Sequence, residues 1–150
     1  MIIDSSALLL VAAPPDSKTG ERCSAVLIRI LRVRGLAAPA LLPFEVGHVV
    51  HRKRREHFGN STAERQALVG RIVGPVELVP MDLELARTTG AVSESSGISF
   101  YDASYLAEAR RRGAGLITAD NGLAAHARHA GVLTYVLPGD VEALDAATAP

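Results

Sequence analysis

Residue types that build several common kinds of site are scarce in this sequence, which has one cysteine, no tryptophan, three phenylalanines and three tyrosines among 150 residues. The lone Cys23 excludes an internal disulfide and a cysteine-based zinc site, and we expect it to be a small buried hydrophobe in a helix. Hydrophobic residues still make up 48% of the chain, so its core must be built of Leu, Val, Ile and Ala. A chain of this length typically forms one domain that buries roughly two-thirds of its unfolded surface.

Net charge is also absent, because 16 acidic residues offset 16 basic ones. This balance disfavours a passive DNA-binding module. Fourteen of the basic residues are arginines, whose guanidinium groups suit bidentate contact with phosphate. They cluster at 29/32/34, 52/54/55 and 110–112, although each cluster taken alone is also explained as a solvated helix end.

The sequence lacks any apolar run near the roughly 18 residues of a membrane-spanning helix. It also lacks a basic leader, and an acidic residue, Asp4, follows the first apolar residues. We therefore expect a cytoplasmic protein that makes no membrane contact.

Short apolar runs alternate with helical patterns along the chain. The pattern predicts strands over 1–3, 36–38, 76–79, 115–118 and 132–136. Helices are predicted over 7–13, 17–33, 41–57, 61–73, 82–95, 102–112 and 122–129, with residues 138–150 forming a loose C-terminal tail. Apolar strands separated by helices indicate one α/β domain over 1–150, in which a short parallel sheet lies between helices in an α/β/α arrangement.

Three aspartates occupy the ends of predicted strands or the starts of helices. Asp4 ends the first strand, Asp120 lies two residues after Thr118 in a later strand, and Asp102 opens a helix. Each one alone is explained as a helix N-cap. Because ligands of open α/β sheets bind beyond the carboxyl ends of the strands, the three together favour a shared site.

A fourth carboxylate, Glu45, falls on an apolar helix stripe with Leu42, Val46, Val49 and Val50. A charge that faces the core is costly unless it is paired or binds a metal. A buried ion pair, or a position at the margin of the stripe, remains an alternative.

Four converging carboxylates repel one another, and a hard divalent cation such as Mg²⁺ or Mn²⁺ would remove that conflict. A cation held in this way can activate a water molecule for in-line phosphoryl displacement. The histidine pairs 48/51 and 126/129 lie toward the outer parts of their helices, which disfavours a zinc site.

Four segments resemble, in order, the sequence motifs of the PIN-domain nucleases. They are Ile2–Ser6, Pro39–Val46 around Glu45, Phe100–Ala107 around Asp102, and Leu116–Asp120. The resemblance covers residues 1 to about 136 and is closest to the VapC-type toxins of toxin–antitoxin pairs.

This resemblance implies a single PIN-like domain acting as a Mg²⁺- or Mn²⁺-dependent endoribonuclease. It also implies a homodimer that a small VapB-like antitoxin inhibits. Carried over residue by residue, the resemblance makes four carboxylates both the metal ligands and the catalytic residues: Asp4, Glu45, Asp102 and Asp120.

Other positions take supporting roles by the same resemblance. Ser6 and Thr118 would hold the metal-binding carboxylates through hydroxyl hydrogen bonds. Asn121, beside Asp120, is a further candidate to contact metal or substrate. His48 stands where the family often has Asn, which puts the supporting role of that position in doubt.

The arginines and the surface helices suggest where RNA and protein partners would bind. Arg52, Arg54 and Arg55, at the far end of the Glu45 helix, are candidates for RNA contact, whereas 110–112 are interpreted as a solvated helix end. The helical segments between 17 and 73 would supply a dimer face and a groove for an antitoxin helix.

Other classes of protein also place aspartates at strand ends. A haloacid-dehalogenase-like phosphatase would need a second Asp where Ser6 stands, and a receiver domain would need a Lys late in the chain, whereas the only lysines are Lys18 and Lys53. A non-catalytic PIN-like module that binds RNA or protein remains the alternative, and the intact carboxylate set argues against it.

Overall fold

A five-stranded parallel sheet forms the centre of the computed structural model, which describes residues 1–53 and 58–148. The strand order is β3-β2-β1-β4-β5, and every neighbouring pair is parallel. The strands are β1 Ile2–Ile3, β2 Ala37–Pro39, β3 Glu77–Val79, β4 Leu116–Thr118 and β5 Thr134–Val136. The order runs outward in both directions from the β1–β4 pair, so the topological switch point lies there.

Eight α-helices flank this sheet within the described residues, and a π-helical turn at Val49–Lys53 directly follows the third of them. The helices are α1 Ser5–Ala12, α2 Ser17–Val33, α3 Leu42–His48, α4 Thr62–Val73, α5 Leu83–Ser96, α6 Phe100–Arg112, α7 Asn121–His129 and α8 Val141–Ala147. No helix in the described part of the chain is long and apolar enough to cross a membrane.

The direction of the crossovers places the helices in two layers. The chain steps from β1 to β2 to β3 in one direction and then returns past β1 to β4 and β5. Right-handed crossovers therefore put α1–α4 on one face and α5–α7 on the other. Accordingly, α1 contacts α2, α3 and α4, while α5 packs along α6. The predicted α/β/α architecture is confirmed.

The core is aliphatic, as the composition requires. Ile2, Ile3, Leu116 and Ile117 of the two central strands are fully buried, and α6 packs across β1, β2 and β4. Cys23 is buried in α2, as expected of a small hydrophobe.

The prediction of a loose tail over 138–150 is wrong for residues 141–147, which form α8. Val141 and Leu144 lie three positions apart and bury their side chains against the body of the fold. The Arg29 guanidinium of α2 donates to the backbone oxygen of Asp145 (2.6 Å) and contacts its carboxylate. This segment is therefore part of the packed structure.

Several predicted helix boundaries differ from the structure, most of them by one or two residues, and two of the differences bear on the acidic residues. The helix predicted over 41–57 is α-helical only to His48 and continues as the π-helical turn, and residues 54–57 lie outside the described residues. Helix α6 begins at Phe100, because Ser99 and not Asp102 is its N-cap. Asp102 is the third helical residue.

The arginines at the end of α6 do not simply face solvent. Arg111 and Arg112 both form ion pairs with Glu108, whose side chain is fully buried, and Arg112 also reaches Glu77 of β3 (2.8 Å). A buried carboxylate needs such partners to remain ionised. Arg110, Arg111 and Arg112 are nevertheless exposed, as expected of a solvated helix end, and the last two also pair with the buried carboxylate.

Candidate active site

Asp4 lies at the topological switch point, where β1 ends and α1 begins. It caps α1 by accepting a hydrogen bond from the backbone N–H of Ala7 (3.0 Å), and the Ser6 and Thr118 hydroxyls donate to its carboxylate at 2.8 and 2.9 Å. The side chain is buried, and burial raises the pKa of Asp4 to about 6. The charge of Asp120 raises this pKa further, while the three hydrogen bonds oppose the shift.

The two hydroxyl groups on Asp4 also connect the ends of the two central strands. Ser6 Oγ accepts a hydrogen bond from the N–H of Ala119 (2.8 Å), and Thr118 Oγ1 accepts one from the N–H of Asp120 (2.9 Å). Each hydroxyl thus accepts a hydrogen bond from a backbone N–H and donates one to the carboxylate of Asp4. The contacts predicted for Ser6 and Thr118 are present at Asp4.

Asp120 occupies the equivalent position after β4, where it caps α7. Its Oδ1 accepts hydrogen bonds from the N–H groups of Gly122 (2.6 Å) and Leu123 (3.0 Å). Asn121 is exposed at the first position of α7, and within the described chain its side chain makes no hydrogen bond to the four carboxylates. The structure therefore brings Asp120, but not Asn121, into contact with the Asp4 network.

Glu45 lies at the margin of the apolar face of α3. Leu42, Val46 and Val50 are buried, whereas Glu45 is half-buried. The hydroxyl of Tyr105 on α6 donates a hydrogen bond to Glu45 Oε2. Burial raises the pKa of Glu45, and the charges of Asp4 and Asp102 raise it further. Of the alternatives left open by the sequence, the marginal position is the one observed.

Asp102 and its neighbours on α6 complete the group. Ser99 Oγ accepts from the backbone N–H of Asp102 (3.0 Å) and donates to its carboxylate (2.7 Å). Burial raises the pKa of Tyr105 far above its usual range, and the charge of Glu45 adds to this effect. Tyr105 therefore stays protonated and acts as a hydrogen-bond donor to Glu45.

Sequence reasoning missed the roles of Ser99 and Tyr105. The signal for Ser99 was the spacing Ser-x-x-Asp, which places a capping side chain three residues before an acidic one. Tyr105 lies one helical turn after Asp102, on the same side of α6. That spacing could have indicated a partner for a nearby carboxylate, but not which carboxylate.

An open cleft of about 580 Å³ adjoins the carboxylates, and Glu45 forms part of its wall. Its lining is Ser5, Leu41, Phe44, Glu45, His48, Val49 and Tyr101. The side chain of His48 is exposed, and the position where the family often has Asn therefore faces the cleft.

In residues 1–53 and 58–148, no three His, Cys, Asp or Glu side chains are close enough to hold one metal ion together. Asp120 instead caps α7, Asp102 contacts Ser99 and Glu45 contacts Tyr105. The donor set is nevertheless composed of carboxylate oxygens, the ligands that Mg²⁺ and Mn²⁺ prefer.

The arginines predicted to contact RNA are only partly described. Arg52 is exposed in the π-helical turn that follows α3. Arg54 and Arg55 lie outside the described residues.

A comparison with protein-family models matches residues 1–129 to the model of the PIN domain. The chain belongs to the PIN-domain family. PIN domains are generally nucleases and generally use divalent metal ions. No curated protein sequence matches this PIN domain.

Solved structures resemble this PIN domain over almost its whole length. PAE2754 from Pyrobaculum aerophilum shares 22% identity at a TM-score of 0.69, over 97% of this chain and 88% of that one. FitAcB from Neisseria gonorrhoeae shares 19% identity at a TM-score of 0.63, over 90% and 96%. FitAB bound to the IR36 DNA fragment also shares 19% identity, at a TM-score of 0.60, over 91% of this chain and 94% of that one. At these identities the likeness concerns the fold.

Proposed function

We propose that this PIN domain is a divalent-metal-dependent endoribonuclease, the toxin of a VapBC-type toxin–antitoxin pair. The observation that supports the proposal is that four acids from four separate elements influence one another's charge: Asp120 raises the pKa of Asp4, and Asp4 and Asp102 raise that of Glu45. Asp4 follows β1, Glu45 lies on α3, Asp102 on α6, and Asp120 follows β4. Acids that raise one another's pKa are costly to the fold, and such costs are typical of functional sites.

The carboxylates would hold one or two Mg²⁺ or Mn²⁺ ions, with Asp4, Glu45, Asp102 and Asp120 as ligands. A cation bound there would neutralise phosphodiester charge and lower the pKa of a water molecule. The chain's own residues orient the ligands: the hydroxyls of Ser6 and Thr118 hold Asp4, and Tyr105 holds Glu45.

We propose RNA as the substrate because the four motifs resemble those of VapC-type toxins. Arg52 is exposed one turn beyond the Glu45 helix, where it can contact an RNA phosphate as the strand leaves the site. Arg54 and Arg55 follow it in the chain, and we assign them the same role. Asn121 remains a candidate for substrate contact from the exposed start of α7.

The proposed antitoxin site is an apolar cleft of about 230 Å³ between α1, α2 and α4. Its lining includes the apolar side chains of Leu8, Leu27, Leu68 and Ile72. The positively charged Arg71 lies among them. The apolar face of an antitoxin helix would fit this surface, with an acidic residue near Arg71. Replacing Leu68 with Glu should abolish binding of the protein encoded by the adjacent gene while leaving RNA cleavage intact.

We further propose that the toxin acts in the cytoplasm as a homodimer, as the resemblance to VapC-type toxins implies. Light scattering of the purified protein tests the dimer. A monomer, with and without the antitoxin, would remove that part of the proposal.

Cleavage of a 5′-labelled RNA pool tests the nuclease. The wild type should cut RNA in Mn²⁺ and not in EDTA. Asp4→Asn and Asp102→Asn should each lower the cleavage rate by roughly a hundredfold or more, because replacing even a residue that only hydrogen-bonds to a metal ligand typically lowers activity 10- to 100-fold. Asp16→Asn is the matched control, because Asp16 is the exposed N-cap of α2 and lies outside the proposed site. Cleavage that survives both site substitutions would reject the site. A protein that neither cuts RNA nor changes its melting temperature in Mn²⁺ would be the non-catalytic module instead.

A further inference from the structure

Half of the few Phe and Tyr side chains in this protein are exposed. The exposed fractions are 77% for Phe44, 62% for Tyr101 and 44% for Phe100. The other three, Phe58, Tyr105 and Tyr135, are buried. Aromatic rings contribute more to stability in a core than in water, so exposed rings in a chain with so few of them indicate a binding surface.

Two of the exposed rings directly precede candidate catalytic acids in the sequence. Phe44 stands before Glu45 on α3, and Tyr101 stands before Asp102 on α6. Successive residues of an α-helix project about 100° apart, so each helix presents an acid in one direction and a ring in another. Both rings line the 580 Å³ cleft whose wall includes Glu45.

We infer that this cleft is a nucleobase subsite in which Phe44 and Tyr101 stack on a base next to the phosphate that is cut. The inference rests on the proposed nuclease function and assigns the two rings beside the acids to base binding. A base inside a duplex is stacked on both faces and cannot enter a cleft beside the acids. Stacking is tolerant of sequence, because every base has a π face.

The rest of the lining fits a base better than a phosphate. Leu41 and Val49 supply apolar surface, while Ser5 and His48 can hydrogen-bond to the edge of a base. Within the described residues, neither Lys nor Arg lines the cleft. Its volume falls in the roughly 300–1,000 Å³ range of small-ligand sites.

A second copy of the chain is the competing occupant of this surface. A flat dimer face would cover Glu45, Ser5 and His48 and leave their polar atoms to be desolvated in an interface core that favours apolar groups. The concave shape and mixed lining therefore favour a base.

The test measures RNA binding separately from cleavage. A fluorescein-labelled 12-nucleotide adenosine homopolymer is titrated with protein in EDTA and followed by anisotropy, and a self-complementary RNA duplex of equal length serves as the paired probe. Phe44→Ala and Tyr101→Ala should each raise the Kd for the single strand roughly 5- to 150-fold. Phe44→Tyr and Tyr101→Phe keep an aromatic ring and should stay within about twofold of the wild type.

Leu133→Ala is the matched control. Leu133 is 63% exposed and precedes β5, so it lies at the amino-terminal edge of the sheet, away from the cleft. Its loss should not change the Kd. Phe44 and Tyr101 are themselves exposed, so their truncation removes little buried area and should leave the melting temperature near that of the wild type.

Three results would overturn the base subsite. They are an unchanged Kd in both alanine variants, binding of the duplex as tight as that of the single strand, or a shift of these variants from dimer to monomer in sedimentation at an unchanged Kd per protomer. Failure of the nuclease proposal gives a different pattern: aromatic-dependent binding of the single strand with no cleavage in Mn²⁺. Cleavage in Mn²⁺ without aromatic dependence would reject the subsite and keep the nuclease.

Discussion

Replacing Asp4 with asparagine should stabilise the metal-free protein, and the gain should increase with pH. The ionised carboxylate is only 5% exposed and lies near the charge of Asp120. Asparagine has the same shape and is equally suited to cap α1. Its oxygen can accept from the N–H of Ala7, and its amide can donate to the hydroxyls of Ser6 and Thr118, which accept as well as donate.

The size of the effect follows from the pKa of Asp4, which burial raises from 3.8 to about 6. The folded protein therefore holds this proton more tightly than the unfolded chain does. The resulting stabilisation is complete below about pH 4, is lost as the pH rises to about 6, and stays lost above it. A shift of this size corresponds to about 3 kcal/mol, which sets the upper limit of the gain in Asp4→Asn at neutral pH.

Urea denaturation in EDTA at a series of pH values between about 4 and 8 measures the difference in the free energy of unfolding between Asp4→Asn and the wild type. Taking the difference removes the contributions of other titrating groups that the substitution leaves unchanged. We expect the difference to rise through pH 4–6 and to level off above that range. A difference that is independent of pH, or that falls as the pH rises, would refute the argument that Asp4 is ionised at a cost.

Three further predictions concern metal, a positioning residue and the C-terminal helix. Mn²⁺ at about 100 times its Kd should stabilise the wild type by about 2.7 kcal/mol and raise its Tm. The rise in Tm should be smaller for Asp120→Asn, and an unchanged wild-type Tm would contradict metal binding. Tyr105→Phe removes a hydrogen bond that lowers the pKa of Glu45, so the acidic limb of the pH–rate profile should move to higher pH; an unmoved limb would argue against this role. Leu144→Ala should lower the free energy of unfolding in urea by about 2–5 kcal/mol, because the side chain is fully buried, whereas a change below about 0.5 kcal/mol would fit a loose tail.

The sheet and the strand-end aspartates could be predicted because their signals are local. Each strand is a short apolar run, and an Asp just after such a run lies at the carboxyl edge of a parallel sheet wherever the strand finally pairs. The positions of Asp4 and Asp120 follow from this rule alone. The strand order β3-β2-β1-β4-β5 was not predicted, because apolar runs carry no information about which neighbour they pair with.

The features that sequence reasoning missed depend on contacts between distant segments. Helix α8 has only two buried apolar residues, Val141 and Leu144, which is too weak a pattern to predict a packed helix. Its position is secured by Arg29 of α2, which lies more than a hundred residues earlier. The same reason hid the hydrogen bond from Tyr105 to Glu45, since neither residue's own helix indicates its partner.

The hydroxyl link between the two central strands has a consequence for synthesis. Thr118 donates to Asp4 across 114 positions of sequence, and Ser6 accepts from the backbone of Ala119. A growing chain cannot make these contacts until β4 has left the ribosome, and pairing over such a separation forms slowly. Incomplete chains would therefore lack an ordered Asp4, and the proposed RNA cleavage would begin only when nearly the whole protein has been made and folded.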